Sequence, residues 1–219
     1  MTGSQESEEL ALAHQVLDLV LAAAGPRAEA EVLLTRTELA LTRFAVSFVH
    51  QNVADVTTTA RLRLHLDGRT AGGATTMTGP DGLGELVART LAGVRLLPPD
   101  PGWPGLAPPA PPTGTGTLDE ATVAATPSER AERVRAFVDA AGGLETAGFC
   151  RTRTTRAAFA NSSGGRLEGA TSEAAMSGIA RTRGGRGTPP RTASPGSRPR
   201  GSPTSTGRGS GHVRRRRRA

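Results

Sequence analysis

The chain has no lysine and no tyrosine, one cysteine and one tryptophan, and only 3% of its 219 residues are aromatic. Each shortage excludes something. Without lysine there is no Walker-type phosphate loop, which needs that ammonium group on the phosphates. A single thiol, Cys150, forms no disulfide within the chain, which rules out a disulfide scaffold and suits a reducing compartment. With so few aromatics, a core has to be built from Leu, Val and Ala. Long apolar runs are missing as well. The longest, Val16 to Ala24, is interrupted by Asp18 and falls far short of the ~20 residues of a membrane span. The N-terminus carries Gln5, Glu6, Glu8 and Glu9 in place of a basic region, so no signal peptide is expected. The expected location is cytoplasmic, with no membrane partner.

The last shortage is local. Residues 181–219 contain no Asp or Glu but 12 Arg, whereas residues 1–180 hold 15 Arg against 20 acids, a net charge of −5. The overall charge of +7 therefore averages an acidic body and a basic tail. The wealth of Arg, Gly, Pro and Ala, all encoded by GC-rich codons, points to a GC-rich genome.

What is present reads as alternating helices and strands. Leu10, His14, Leu17 and Leu21 recur at helical spacing over Ser7 to Ala24, and Gly25–Pro26 ends the run. Short strands fit Glu31 to Arg36 and Arg43 to Val49, the second with Phe44, Val46 and Phe48 on one face. From Thr57 to Leu66, Leu62, Leu64 and Leu66 alternate with Arg61, Arg63 and His65, the period of a sheet with one wet face. Asp67–Gly68 is a hairpin turn signal leading into Arg69 to Thr76. A helix with Leu83, Leu86, Val87 and Leu91 on one face covers Asp81 to Val94. Residues 98–112 hold eight of the 16 prolines, a stiff extended connector that Trp103 and Leu106 are placed to pin. Thr126-Pro127-Ser128-Glu129 is a capping box. It opens a helix striped by Ala131, Val134, Phe137, Val138 and Ala141, which Gly142–Gly143 stops. Strands then fit Thr146 to Arg151, Arg156 to Asn161 and Arg166 to Ile179, with a turn at Ser162 to Gly165. Each half runs helix, Gly stop, strands, an order that could reflect a degenerate repeat. The expected fold class is α+β, helices packed on an antiparallel or mixed sheet. The expected domains are residues 1–180 as the folded body, with its Pro-rich connector at 98–112, and residues 181–219 as a disordered basic tail.

Catalytic constellations are scarce. His14, His50, His65 and His212 form no H-E-x-x-H or H-E-x-x-x-H pair and do not lie near Cys150 in a metal-ligand spacing. His14 reads as a partly buried core residue, His65 as a polar-face residue, and Cys150 as a buried inert thiol. Asp119 and Glu120 read as solvated acids beside a loop. The glycine pairs at Gly72–Gly73 and Gly164–Gly165 belong to no nucleotide-binding motif. The expected catalytic residues, metal ligands and cofactors of this chain are none.

The segment Arg43-Phe44-Ala45-Val46-Ser47-Phe48-Val49-His50-Gln51-Asn52 resembles the N-terminal region of the TldD/PmbA (TldE) family, in which an "RFANS…IHQN"-like stretch follows the first strand. Val46 replaces the expected Asn. The order around it resembles the family too: the strand Thr59 to Gly68, the helix Asp81 to Arg95, the connector Leu96 to Leu106, and Ala160-Asn161-Ser162-Ser163-Gly164. The resemblance runs from about Leu10 to Arg181 and lies closer to the PmbA type. It implies a protein about twice this length. In such a family the TldD-type member is a metallopeptidase whose H-E-x-x-x-H and further Cys lie in the second half, and the PmbA-type partner lacks that motif. No position here matches those ligands, so the family metal, expected to be zinc, would be held by the absent C-terminal half or the partner subunit. The implied function is the N-terminal scaffold portion of a protein engaged in metal-dependent proteolysis of peptides or small proteins, inactive alone as a hydrolase. The implied partners are a TldD-type subunit or a second copy, with peptides as substrates of the complex. Arg43, His50, Gln51 and Asn52 are the candidates for a peptide-facing surface. The plainer reading of these four, strand-end and turn residues satisfying local hydrogen bonds, is preferred.

The tail admits two readings. Clustered Arg displaces counterions from phosphates, so the alternative function is a nucleic-acid-binding protein acting through residues 181–219. The preferred reading is out-of-frame translation of GC-rich DNA, or truncation, because the change to Arg, Gly, Pro, Ser and Thr coincides with the loss of periodic pattern.

Overall fold

The computed structural model describes residues 6–182 apart from Thr113 and Thr115. The tail expectation, disorder or nucleic-acid binding from Arg183 onward, lies outside the described residues.

Helix α1 (Glu8–Ala24) starts where Ser7 accepts a hydrogen bond from the Leu10 N–H, and Glu8 and Glu9 sit in its first turn. Negative charge there suits the helix dipole. Its buried stripe is Leu10, Ala13, Val16, Leu17 and Val20, and Gly25, at φ 80°, closes it. Strand β1 (Glu29–Ala45) and strand β2 (Phe48–Leu66) then form one long hairpin. The two short strands expected at Glu31 to Arg36 and Arg43 to Val49 are thus corrected. The intervening Thr37 to Thr42 is strand as well, paired on both sides. Val46 and Ser47, at φ 51° and 64°, make the turn. Phe44 is buried, while Val46 and Phe48 are more than half exposed, so these three do not share a strand face. The hairpin from β2 to β3 (Arg69–Thr75) turns at Asp67 and Gly68, both at positive φ, the geometry that matches strand twist.

Helix α2 (Pro80–Val94) follows. The connector leads to a short helix, α3 (Glu120–Ala124), too brief to carry an apolar period in the sequence, whose N-cap is Asp119. Helix α4 (Pro127–Ala140) opens with the expected capping box, Thr126 and Glu129 bonding each other's backbone. Strand β4 (Glu145–Asn161) is continuous, including the Thr152 to Thr155 stretch between the two strands expected there, and β5 (Arg166–Arg181) returns along it.

The sheet order is β3-β2-β1-β4-β5 and every pairing is antiparallel. The fold class is α+β, and of the two expected sheet types it is the antiparallel one. Because side chains alternate across a strand, the buried Ala30, Val32, Leu34, Ala60, Leu62, Leu64, Ala158 and Ala160 all point to one face, where they pack with α1 and α2. Further along that face α4 makes a second, smaller core: Phe44, Val134 and Cys150, joined by Phe137 and Met176. Phe44 meets Phe137 edge-on at 5.6 Å. Gly148 and Gly178, paired across β4 and β5, make room for these rings: a Cβ on Gly178 would lie 2.8 Å from Phe137, and one on Gly148 2.9 Å from Phe44.

Candidate functional site

The four candidate residues lie at the turn end of the β1–β2 hairpin, but not on one surface. Arg43 pairs with Gln51 across the two strands, both on the sheet face turned away from the helices. Asn52 pairs with Thr42 on the helix face. His50 lies one step nearer the turn, unpaired at the register shift between the Arg43–Gln51 and Phe44–Val49 pairs, a bulge, with its ring edge-on to Phe48 at 6.5 Å. Gln51 and Asn52 follow the ordinary alternation, and only His50 is moved off it by the bulge.

Asn52 belongs to a polar chain. The buried Thr42 hydroxyl donates to Asn52 Oδ1 at 2.6 Å and accepts from Arg130 Nε at 3.3 Å, while Arg130 Nη1 donates to the Ala125 carbonyl at 2.9 Å. Arg130 is 3% exposed. This fastens the start of α4 to the middle strands, a role with no local signal, since Arg130 sits in a run of ordinary helical charges. Cys150 lies buried in the same core. Burial pushes its thiol up from the ordinary cysteine range, against the opposing pull of Arg130 and Arg133, so it stays protonated and inert.

At the opposite end the connector straps across the sheet. The Asp100 N–H donates to Gly68 O at 2.8 Å, and its carboxylate accepts from the Thr70 hydroxyl at 2.6 Å. Trp103 stacks flat on His65 at 4.8 Å, lies under the Arg63 guanidinium, and donates from Nε1 to Glu29 at 2.7 Å. The strap then meets the β4–β5 turn, where Asn161 Nδ2 donates to Ala107 O and Asn161 Oδ1 accepts from the Gly165 and Ser163 N–H groups. Ser162 bonds Ala28 and Ala30. The segment Ala160-Asn161-Ser162-Ser163-Gly164 is therefore a tether. Beyond it the strap runs along β5, with the Ser172 N–H donating to Thr117 O and the Ser172 hydroxyl accepting from the Asp119 N–H. Asp119 caps α3 by accepting from Thr122, which holds its carboxyl below the usual range. His14 is partly buried, as expected, but outside the core: its ring bonds Glu6 at 2.6 Å and borders an open hollow with Pro109, Pro111 and Arg166.

The most extensive surface is the sheet face away from the helices. Reading across β2, β1, β4 and β5, one row is Arg61, Leu33, Phe159 and Leu167. Then come Thr57, Thr37, Thr155 and Thr171; Asp55, Leu39, Arg153 and Glu173; and Val53, Leu41, Arg151 and Ala175. Of these, Leu33 is 38% and Leu167 41% exposed. Arg151 Nη2 donates to Glu173 at 2.8 Å and Arg63 Nε to Glu31 at 2.6 Å. The Nε–H groups of Arg151 and Arg153 have no acceptor among the described residues. The Arg-x-Arg repeats at 61–63 and 151–153 were the available sequence signal for this face.

Among the described residues no group of three or more His, Cys, Asp or Glu is placed to hold a metal ion, and no helix is long and apolar enough to cross a membrane.

No protein-family model matches the chain, and no curated protein does. Solved structures do. TldE from Thermococcus kodakarensis superimposes with a TM-score of 0.70 at 16% identity, over 80% of this chain and 41% of that one. A candidate modulator of DNA gyrase from Bacteroides thetaiotaomicron gives 0.74 at 20% identity, over 86% and 44%. Another, from Thermotoga maritima, gives 0.58 at 14% identity, over 83% and 42%. The chain thus spans less than half the length of each of these structures, and over that span it has the fold of TldE and of the two candidate gyrase modulators.

Proposed function

We propose that the chain is the N-terminal scaffold portion of a TldD/PmbA-family protein, nearer the PmbA type, that takes part in metal-dependent proteolysis of peptides or small proteins. The observation that carries this reading is a five-stranded sheet that, among the described residues, has helices on one face only, in a fold that TldE shares over 41% of its own length. A sheet of this kind normally covers both faces or leaves one polar. Here the open face mixes Leu, Phe and Arg, as befits a part of a larger assembly. The described residues do not fit the family metal, so the metal chemistry of the reading belongs to a TldD-type subunit or to an absent second half. The chain's own contribution is to enclose and orient peptide, in the cytoplasm. Arg43, His50, Gln51 and Asn52 are offered as peptide-facing residues at the hairpin end, with Asn52 serving the helix side and Arg43 and Gln51 the other. The division of the chain at residue 180, with residues 181–219 out of frame, is part of the same reading. Resequencing the gene across codons 175–190 tests it, since another frame should continue into family-like strands.

The functional test is peptide hydrolysis by the purified chain with and without a TldD-type subunit. The chain alone should cleave nothing. Added to the subunit, it should raise cleavage that a chelator abolishes. Chelator-sensitive cleavage by the chain alone would overturn the reading. The 12 acid-free Arg of residues 181–219 favour one other reading, nucleic-acid binding through the tail. It requires steeply salt-dependent binding to DNA or RNA that disappears when the tail is removed.

A further inference from the structure

We infer that the open face of the sheet docks a different polypeptide whose surface alternates carboxylate and aliphatic side chains; the inference rests on the scaffold reading. Six guanidinium groups project from that face, Arg43, Arg61, Arg63, Arg151, Arg153 and Arg181, against five carboxylates, Glu29, Glu31, Asp55, Glu145 and Glu173. Three of the cations are already held, Arg63 by Glu31, Arg151 by Glu173 and Arg181 by Glu145, and Glu29 accepts from Trp103. The groups left over, Arg43, Arg61 and Arg153 against Asp55, are positive on balance. Between these charges lie Leu33, Leu39, Leu41, Val53 and Phe159, apolar groups that no helix covers. The fitting surface is therefore apolar with carboxylates spaced to meet the arginines.

Three other occupants fit less well. Residues 183–219 contain no Asp or Glu, so the chain's own tail brings cations to a cationic face. A second copy docked face to face brings the same positive surplus. A nucleic acid would set its phosphates against Asp55, Glu173 and Glu31. It would also find Phe149 and Phe159 ten residues apart on β4, too far separated for neighbouring bases to stack on both.

The experiment uses the full chain and a fluorescent synthetic peptide of alternating leucine and glutamate, with binding read by anisotropy. The chain should bind it saturably, and R151E/R153E should weaken binding about tenfold, the effect of two exposed attractions turned repulsive. The tail is common to both proteins, so equal binding by the variant assigns the peptide to the tail and overturns the inference. Comparable binding of an alternating leucine–lysine peptide overturns it too. So does a single-stranded oligonucleotide that loses affinity in R151E/R153E while the acidic peptide does not, or a dimer of the parent chain that this variant dissolves. Should circular dichroism find R151E/R153E unfolded, R61Q/R153Q replaces it, with a smaller loss expected and an unchanged affinity contradicting the inference. If R151E/R153E loses the acidic peptide yet the parent chain does not support a TldD-type subunit, the function fails and the docking face stands. If the parent supports the subunit but binds no acidic peptide, the reverse holds.

Discussion

Leu33 and Leu34 are neighbours in β1, and they sit in different worlds. Leu34 is fully buried against α1 and α2, while Leu33 is 38% exposed on a face that no helix covers. The same contrast runs the length of the sheet. One face builds a large core from aliphatic residues and a smaller one around Phe44 and Phe137; the other carries Leu, Thr and Arg into the open. The stability of the sheet is therefore supplied by burial behind it, and the front contributes little to holding the fold.

The strongest way to break the comparison is to truncate both leucines separately. Leu34→Ala should cost about 2–5 kcal/mol in urea unfolding, whereas Leu33→Ala should cost no more than about 0.5 kcal/mol. Next is the small core. Gly178→Ala drives a methyl group into Phe137 and Phe44 and should lose about 1–3 kcal/mol by overpacking, while Gly169→Ala on the open face, with no atom near its would-be Cβ, should not. Asn161→Ala removes the acceptor for the Gly165 and Ser163 N–H groups and the donor to Ala107. It should cost about 1–3 kcal/mol and raise proteolytic nicking of the strap. Smallest is Thr126→Ala at the α4 cap, about 1 kcal/mol. Bonds from the Thr126 backbone N–H and then its hydroxyl hold the Glu129 carboxyl below the usual range. A carboxylate with a lowered folded pKa stabilises above its unfolded pKa, and that contribution fades as pH falls. The gap between parent and Thr126→Ala should therefore narrow on acidification, measured by thermal unfolding across pH.

The parts legible in the sequence were those with strong local signals. The capping box, the Leu62–Leu66 alternation and the Asp67–Gly68 turn each state their geometry in a few residues. The long strands did not, because Thr35 to Glu38 and Thr152 to Thr155 are polar and no apolar period marks them; their strand character comes from pairing on both sides. The turn at Val46 and Ser47 was unreadable for a related reason. Neither residue favours positive φ, and the conformation is held by Ser47 bonding Thr146 on β4, with its N–H donating to Thr146 O at 3.0 Å and its hydroxyl accepting the Thr146 N–H at 3.1 Å. At the candidate site, a linear motif from Arg43 to Asn52 suggested one surface. Strand alternation and the bulge at His50 divide it between two, which only the register could reveal. Arg130 and the open-face arginines depend on tertiary neighbours in the same way.

The most direct test of this division between faces is the equilibrium stability of the full chain carrying Leu33→Thr, Leu39→Thr and Leu41→Thr together. Threonine keeps the strand preference and removes the apolar surface from the open face alone. The account predicts that this triple change costs less than Leu34→Thr by itself, because the three side chains pack against no helix. A triple variant that loses more stability than Leu34→Thr would mean that the open face belongs to the folding core, and would contradict the account.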